Sequence, residues 1–184
     1  YTSPDRSSLL EQLQNQSLKA ICDADWKNLL IERLPEIPNF TLLVGWTGQV
    51  AITDSLIQAT EKKRKVETDS AFYKEFLAKS HAIVQGLQNA WNKQDIPALQ
   101  EGIRANRALL NEFAQVMQLE IETPALQTLC DLAEQNGACA KTSGAGGGDC
   151  GICFTQNETE RQQIENQWAT AQIQVLPLSI AEAW

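Results

Sequence analysis

The sequence lacks an excess of positive charge, a long apolar run, a cysteine framework and all but one histidine. Each shortage removes a class of function. Its 184 residues carry 15 Lys and Arg against 23 Asp and Glu, a formal net charge of −8. Nucleic-acid binding rests on basic side chains that displace counterions from phosphates. The overall balance therefore argues against nucleic acid and anionic membranes as partners. No stretch approaches the ~20 apolar residues of a spanning helix, and no leader-like segment opens the chain. The five cysteines, Cys22, Cys130, Cys139, Cys150 and Cys153, are odd in number and sparse. They fit reduced thiols in the cytoplasm better than a disulfide framework. Cys150 and Cys153 have C-x-x-C spacing but no second pair at zinc-site distance. Residues three apart on a strand also face opposite ways, so no metal or redox site is expected. His81 stands inside a helical pattern without a nearby ligand partner and reads as a surface or packing residue.

What is present describes an ordinary folded domain. Hydrophobic residues make up 43% and charged residues 21%, as in soluble globular chains. The length suits one core, so residues 1–184 are taken as a single domain. Ser3-Pro4 suggests a helix N-cap followed by proline, with Leu9, Leu10 and Leu13 as its stripe. Leu29 to Leu34 and Phe40 to Val44 read as strands, the second broken at Gly45-Trp46-Thr47-Gly48. A helix capped by Thr53 or Asp54 should run to the basic segment Lys62 to Lys65. Helical spacing predicts a long helix from Ser70 to Asn92, another from Pro97 through Met117, and a third opening at Thr123-Pro124 and stopping at Gly137. Ala138 to Thr142 and Gly151 to Thr155 read as strands. Asn157-Glu158-Thr159-Glu160 looks like a capping box for a helix through Trp168, and Ile173 to Leu176 closes as a strand. The pattern predicts an α+β fold, with helices packed on one face of an antiparallel sheet.

The run Lys141-Thr142-Ser143-Gly144-Ala145-Gly146-Gly147-Gly148-Asp149-Cys150-Gly151 holds five of the chain's ten glycines. Glycines permit positive φ and let a ligand approach the main chain, so successive N–H groups can surround an anion. Thr142 and Ser143 add hydroxyls, and Lys141 adds a cation. The spacing is not that of a Walker loop. A formal G-x-G-x-x-G occurs at Gly146, Gly148 and Gly151, but no βαβ unit surrounds it. A plain glycine-rich hairpin tip is the bland alternative. Arg104 and Arg107 share a helix face; substrate-phosphate binding and a surface position are both open to them, and the surface reading is preferred.

This run resembles the third motif of the GHMP kinases. The segment Leu42-Leu43-Val44-Gly45-Trp46-Thr47-Gly48, followed by Ala51 and Thr53, is similar to a second stretch of the branch that phosphorylates phosphomevalonate. Tyr1-Thr2-Ser3-Pro4-Asp5 resembles the end of that branch's N-terminal half. The resemblance implies a ferredoxin-like C-terminal domain and transfer of the ATP γ-phosphoryl to (R)-5-phosphomevalonate, with Mg²⁺. It implies nucleotide contacts from Ser143, Gly144, Ala145, Gly146 and Gly147, catalytic roles for Ser143 and Asp149, and substrate contacts from Gly45, Thr47, Thr53 and Lys141. The family's first motif and its P-x-G-x-G-S-S-A motif are missing, so an N-terminal half of the same enzyme is the implied partner and the chain alone is expected to be inactive. Other readings are a mevalonate kinase, a diphosphomevalonate decarboxylase, or a non-catalytic domain that binds a ligand or partner.

Overall fold

The computed structural model describes residues 2–50, 71–144 and 146–178. By its contacts the chain falls into two units, Tyr1–Pro35 and Glu36–Trp184. In the first, helix α1 (Arg6–Asn15) is capped by Asp5, whose Oδ1 accepts from the Ser8 amide at 2.8 Å. Ser3 is therefore not the cap, and Pro4 lies outside the helix. Helix α2 (Leu18–Cys22) follows, and the Trp26 indole donates to the Ile21 carbonyl at 2.7 Å. The strand expected over Leu29 to Leu34 does not form. Only Leu30 is bridged, to Thr2, and no further strand extends that ladder among the described residues. Leu30, Ile31 and Leu34 stay exposed.

The second unit is built on four strands. Alternating burial marks β1 (Thr41–Trp46) and β3 (Cys150–Thr155), while β2 (Cys139–Thr142) and β4 (Gln174–Val175) are shorter. Their order is β2-β3-β1-β4, and every pairing is antiparallel. The register sets Leu43 opposite Cys153 and Gly45 opposite Gly151, with Ala140 on the other side of Cys153. Side chains alternate along a strand, so these residues share one face.

Between β1 and β2 the chain forms a long helical pair, α3 (Ala71–Asn92) and α4 (Ile96–Met117), and then α5 (Pro124–Gln135), while α6 (Glu158–Thr170) follows β3. The face holding Leu43 and Cys153 is covered by α5 and α6. Thr123 caps α5 and proline fills its first turn. The Asn157 side chain accepts from the Glu160 amide at 2.9 Å, and Glu160 accepts from the Gln156 amide at 3.0 Å. Leu129, Cys130, Ala133, Ile164 and Trp168 point inward with no exposure. Two glycines make the close approach feasible. A Cβ at Gly151 would lie 2.5 Å from Leu129 Cδ2, and one at Gly45 would lie 2.8 Å from Leu129 Cδ1 and 2.9 Å from Trp168 Cζ3. The Trp168 indole then donates to the Leu129 carbonyl at 2.9 Å.

The long helices do not share this face. α4 is tied to the segment leading into the edge strand: Arg104 donates to the Ala138 carbonyl at 3.1 Å and Gln100 to the Gly137 carbonyl at 3.2 Å. Phe154, on the opposite side of β3 from Cys153, stacks on Phe40 at 4.9 Å and meets Trp91 edge-on at 6.2 Å. Phe72, Phe76 and Phe113 join α3 to α4. Among the described residues no helix is long and apolar enough to cross a membrane. The helix expected near Thr53 lies outside the described residues.

Candidate phosphate-binding site

The glycine run connects β2 to β3, so it is a hairpin connection, but it is held from two sides. Within the hairpin the Ser143 amide donates to the Cys150 carbonyl at 2.9 Å. Because Trp46 pairs with Cys150, the end of β1 arrives beside the end of the loop. There the Thr47 amide donates to the Asp149 carbonyl at 2.8 Å, and the Thr47 hydroxyl donates to the same oxygen at 2.9 Å. The Asp149 amide returns to the Gln49 carbonyl at 2.6 Å. The two sequence strings that carry the family resemblance are thus neighbours in space.

The other anchor is Ile121, in the connection between α4 and α5. Its carbonyl accepts from the Gly147 amide at 2.7 Å. Gly146 packs so closely that a Cβ there would collide with the same carbonyl oxygen and lie 2.7 Å from Ile121 Cγ2. Gly144, Gly146 and Gly147 have φ of 68°, 76° and 80°, Gly148 has 140°, and Asp149 adopts 53°. These are positive-φ conformations that glycine enters without a Cβ clash. No carbonyl among the described residues takes the amides of Gly144, Gly146 or Gly148. They lie in a constrained, glycine-lined loop, where Gly144 is exposed and Gly146 and Gly148 are buried.

The structure sorts the residues expected to form the site. Ser143 is half-buried at the loop's start and Gly144 is exposed. A methyl group added at Gly144 would have nothing within 4 Å. Thr47, expected to donate to substrate, instead uses its one hydroxyl proton on the Asp149 carbonyl and is 8% exposed. Gly45, expected beside substrate, lies on the sheet face beneath Leu129 and Trp168, where its missing Cβ serves packing. Asp149 joins the loop framework through its main chain. Lys141 is half-buried, its ammonium donates to the Thr142 carbonyl at 2.8 Å, and burial lowers its pKa from the ordinary lysine value. Ala145 and Thr53 lie outside the described residues.

Arg104 and Arg107 were expected at the surface, and for Arg107 this expectation is overturned. Arg104 is half-buried with one hydrogen bond to the Ala138 carbonyl, and the Arg107 side chain is 13% exposed. Arg107 Nε donates to both Glu122 carboxylate oxygens at 3.1 and 3.0 Å, and Nη2 reaches Glu122 again. Asp131 at 2.7 Å and Glu134 at 3.0 Å complete the cluster. Burial by itself disfavours the cation, but hydrogen bonds to Glu122 and Asp131 outweigh it and raise the guanidinium pKa. A helix-face argument places an arginine only on its own helix. It carries no information about carboxylates from later elements that converge on it.

Three of the cysteines, Cys130, Cys139 and Cys153, behave as packing residues, while Cys22 is exposed and Cys150 half-buried. All five are free thiols, and Cys130, Cys139 and Cys153 are buried. Burial pushes the Cys130 thiol up to about 12 and Cys139 up to about 11, away from the thiolate that nucleophilic or metal chemistry requires. His81 is exposed on α3.

Residues 83–174 match the family model described as GHMP kinases C terminal. The chain belongs to this family. It is 36% identical over 183 residues to the phosphomevalonate kinase of Streptomyces sp. (strain CL190), a match that covers 98% of this chain and 48% of that protein. The structure of the Lin0012 protein from Listeria innocua is 33% identical with a TM-score of 0.89, covering 96% of this chain and 49% of that one. The Streptococcus pneumoniae phosphomevalonate kinase, solved in complex with phosphomevalonate and AMPPNP, is 28% identical with a TM-score of 0.76, covering 95% and 49%. The chain spans about half the length of the curated relative it matches.

Proposed function

We propose that this chain forms one wall of the active site of a cytoplasmic phosphomevalonate kinase. That enzyme transfers the γ-phosphoryl of ATP to the phosphate of (R)-5-phosphomevalonate, giving 5-diphosphomevalonate and ADP. The observation that carries the reading is the doubly anchored glycine loop, with inward main-chain bonds at Gly147 and Asp149 and amides at Gly144, Gly146 and Gly148 that no carbonyl among the described residues takes. It stands in a chain 36% identical to a phosphomevalonate kinase.

In phosphoryl transfer the protein mainly positions the reactants and offsets charge. The loop amides would hydrogen-bond the oxygens of the transferred group, and the Ser143 hydroxyl would add a donor at the loop's start. Their preorganisation matters because the donors need not reorient as charge shifts. Lys141, held back on the Thr142 carbonyl, supplies positive charge beside the loop. Among the described residues no group of three His, Cys, Asp or Glu side chains is placed to hold a metal ion. Mg²⁺ would enter with ATP on phosphate oxygens. The remaining walls belong to an N-terminal half, matching the other half of the relatives' length.

The test is a coupled ADP-release assay of the full-length enzyme with phosphomevalonate, mevalonate and diphosphomevalonate in parallel. Turnover with phosphomevalonate is the expected result. Turnover with mevalonate and none with phosphomevalonate would overturn the substrate assignment.

A further inference from the structure

The glycine loop takes support from the Ile121 carbonyl, and the residue after Ile121 is a heavily bonded carboxylate. Glu122 has a side chain only 7% exposed. Both its oxygens accept from Arg107 Nε, Oε1 also accepts from Arg107 Nη2, and Oε2 accepts from Asn111 Nδ2 at 2.9 Å. Arg107 and Asn111 lie one turn apart on α4. They therefore grip Glu122 from a rigid helix. The Ile121 carbonyl belongs to the peptide unit that ends at the Glu122 nitrogen, and that unit is planar. Holding Glu122 on one side and capping α5 with Thr123 on the other restricts this carbonyl's orientation. That orientation meets the Gly147 amide at 2.7 Å.

We propose that Arg107 and Glu122 are positioning residues for the glycine loop, acting through the Ile121 carbonyl that seats Gly146 and Gly147. Simple charge pairing does not explain the arrangement. One cation faces three carboxylates, Glu122, Asp131 and Glu134, and a buried ion pair is weak evidence for stability as such. What the site holds in excess is geometry: a planar fork on a two-oxygen acceptor, which lysine cannot reproduce. Displacing reacting groups by about 1 Å costs up to about 100-fold in rate, so a loosened seat should appear in turnover.

The test uses the full-length enzyme with Arg107→Lys and Glu122→Gln, beside the packing control Ile37→Ala, which lies in the separate cluster around Phe40 and Leu99. Hydrogen exchange of the segment containing Gly147 is measured together with kcat and KM for ATP, well below each variant's melting temperature. Both substitutions should speed exchange in the loop at least about tenfold and lower kcat about 10- to 100-fold. The control should change neither. Native exchange in a folded Arg107→Lys or Glu122→Gln enzyme would overturn the proposal, as would an equal effect in the control. The kinetic arm rests on the kinase reading, but the exchange arm needs no substrate. A wild-type enzyme that turns over none of the three mevalonate compounds would sink that reading and leave exchange to judge this one.

Discussion

Gly151→Ala probes the contact that holds α5 on the sheet. The added methyl would sit 2.5 Å from Leu129 Cδ2 and 2.9 Å from Cδ1. Two effects oppose each other. Alanine restricts the unfolded chain and gains about 0.4–1 kcal/mol at a compatible backbone position. Gly151 lies in an extended strand without positive φ, so this gain applies in full. Overpacking a tight core costs about 1–3 kcal/mol. Leu129 has no exposure, and a Cβ at Gly45 would also meet it, so it has little room to retreat. The clash should win, leaving a loss of up to about 2.6 kcal/mol from these two terms. Leu129→Ala alone should cost about 2–5 kcal/mol. Together the pair should cost less than the sum, because the new methyl enters the space that leucine vacated. Urea unfolding of the wild type and the three variants, followed by circular dichroism, closes the cycle. A coupling of about 0.5–3 kcal/mol is expected for residues in contact. Additivity within about 0.5 kcal/mol, or a Gly151→Ala protein more stable than wild type, would refute the packing argument.

Gly144→Ala should cut turnover of the full-length enzyme more than about tenfold while costing stability only the ~1–2 kcal/mol of a left-handed alanine. Its Cβ meets no described atom within 4 Å, so near-normal turnover would show that phosphate does not approach there. Gly146→Val is the poorer probe, since its collision with the Ile121 carbonyl makes it a folding variant. Lys141→Met should stabilise the protein at pH 7. Burial disfavours the folded ammonium, so the wild type carries a penalty below its lowered folded pKa that fades as pH rises toward the ordinary 10.5. Urea midpoints of both proteins at pH 7 and pH 10 should therefore converge, and an advantage that holds or grows with pH would reject the account.

Most elements were legible because local rules decided them. Asn157 and Thr123 cap the helices they were expected to cap, and Leu99, Ile103, Phe113 and Met117 form the buried side of Ile96–Met117, whereas in Ala71–Asn92 only Ala90 is buried and Val84 is exposed. The miss at Leu29 to Leu34 has a clear cause. Apolar content describes a strand's tendency to be buried, but a strand exists only where a partner supplies a ladder, and Thr2 supplies one bridge. Ser3-Pro4 failed for a smaller reason, because Asp5 offers the better acceptor one turn from the Ser8 amide.

The glycine loop itself was determined by sequence alone. Five glycines within eleven residues make sense only where the main chain must bend through positive φ or admit a ligand, and the conformations of Gly144, Gly146, Gly147 and Gly148 follow from that composition. What holds the loop was decided by tertiary structure. The Thr47 hydroxyl and the Gln49 and Ile121 carbonyls come from two separate stretches of chain. Two of the anchors are main-chain carbonyls, which every residue carries, so no side-chain pattern could announce them. They act only because the β1–β3 register and the docking of α5 bring them to the loop.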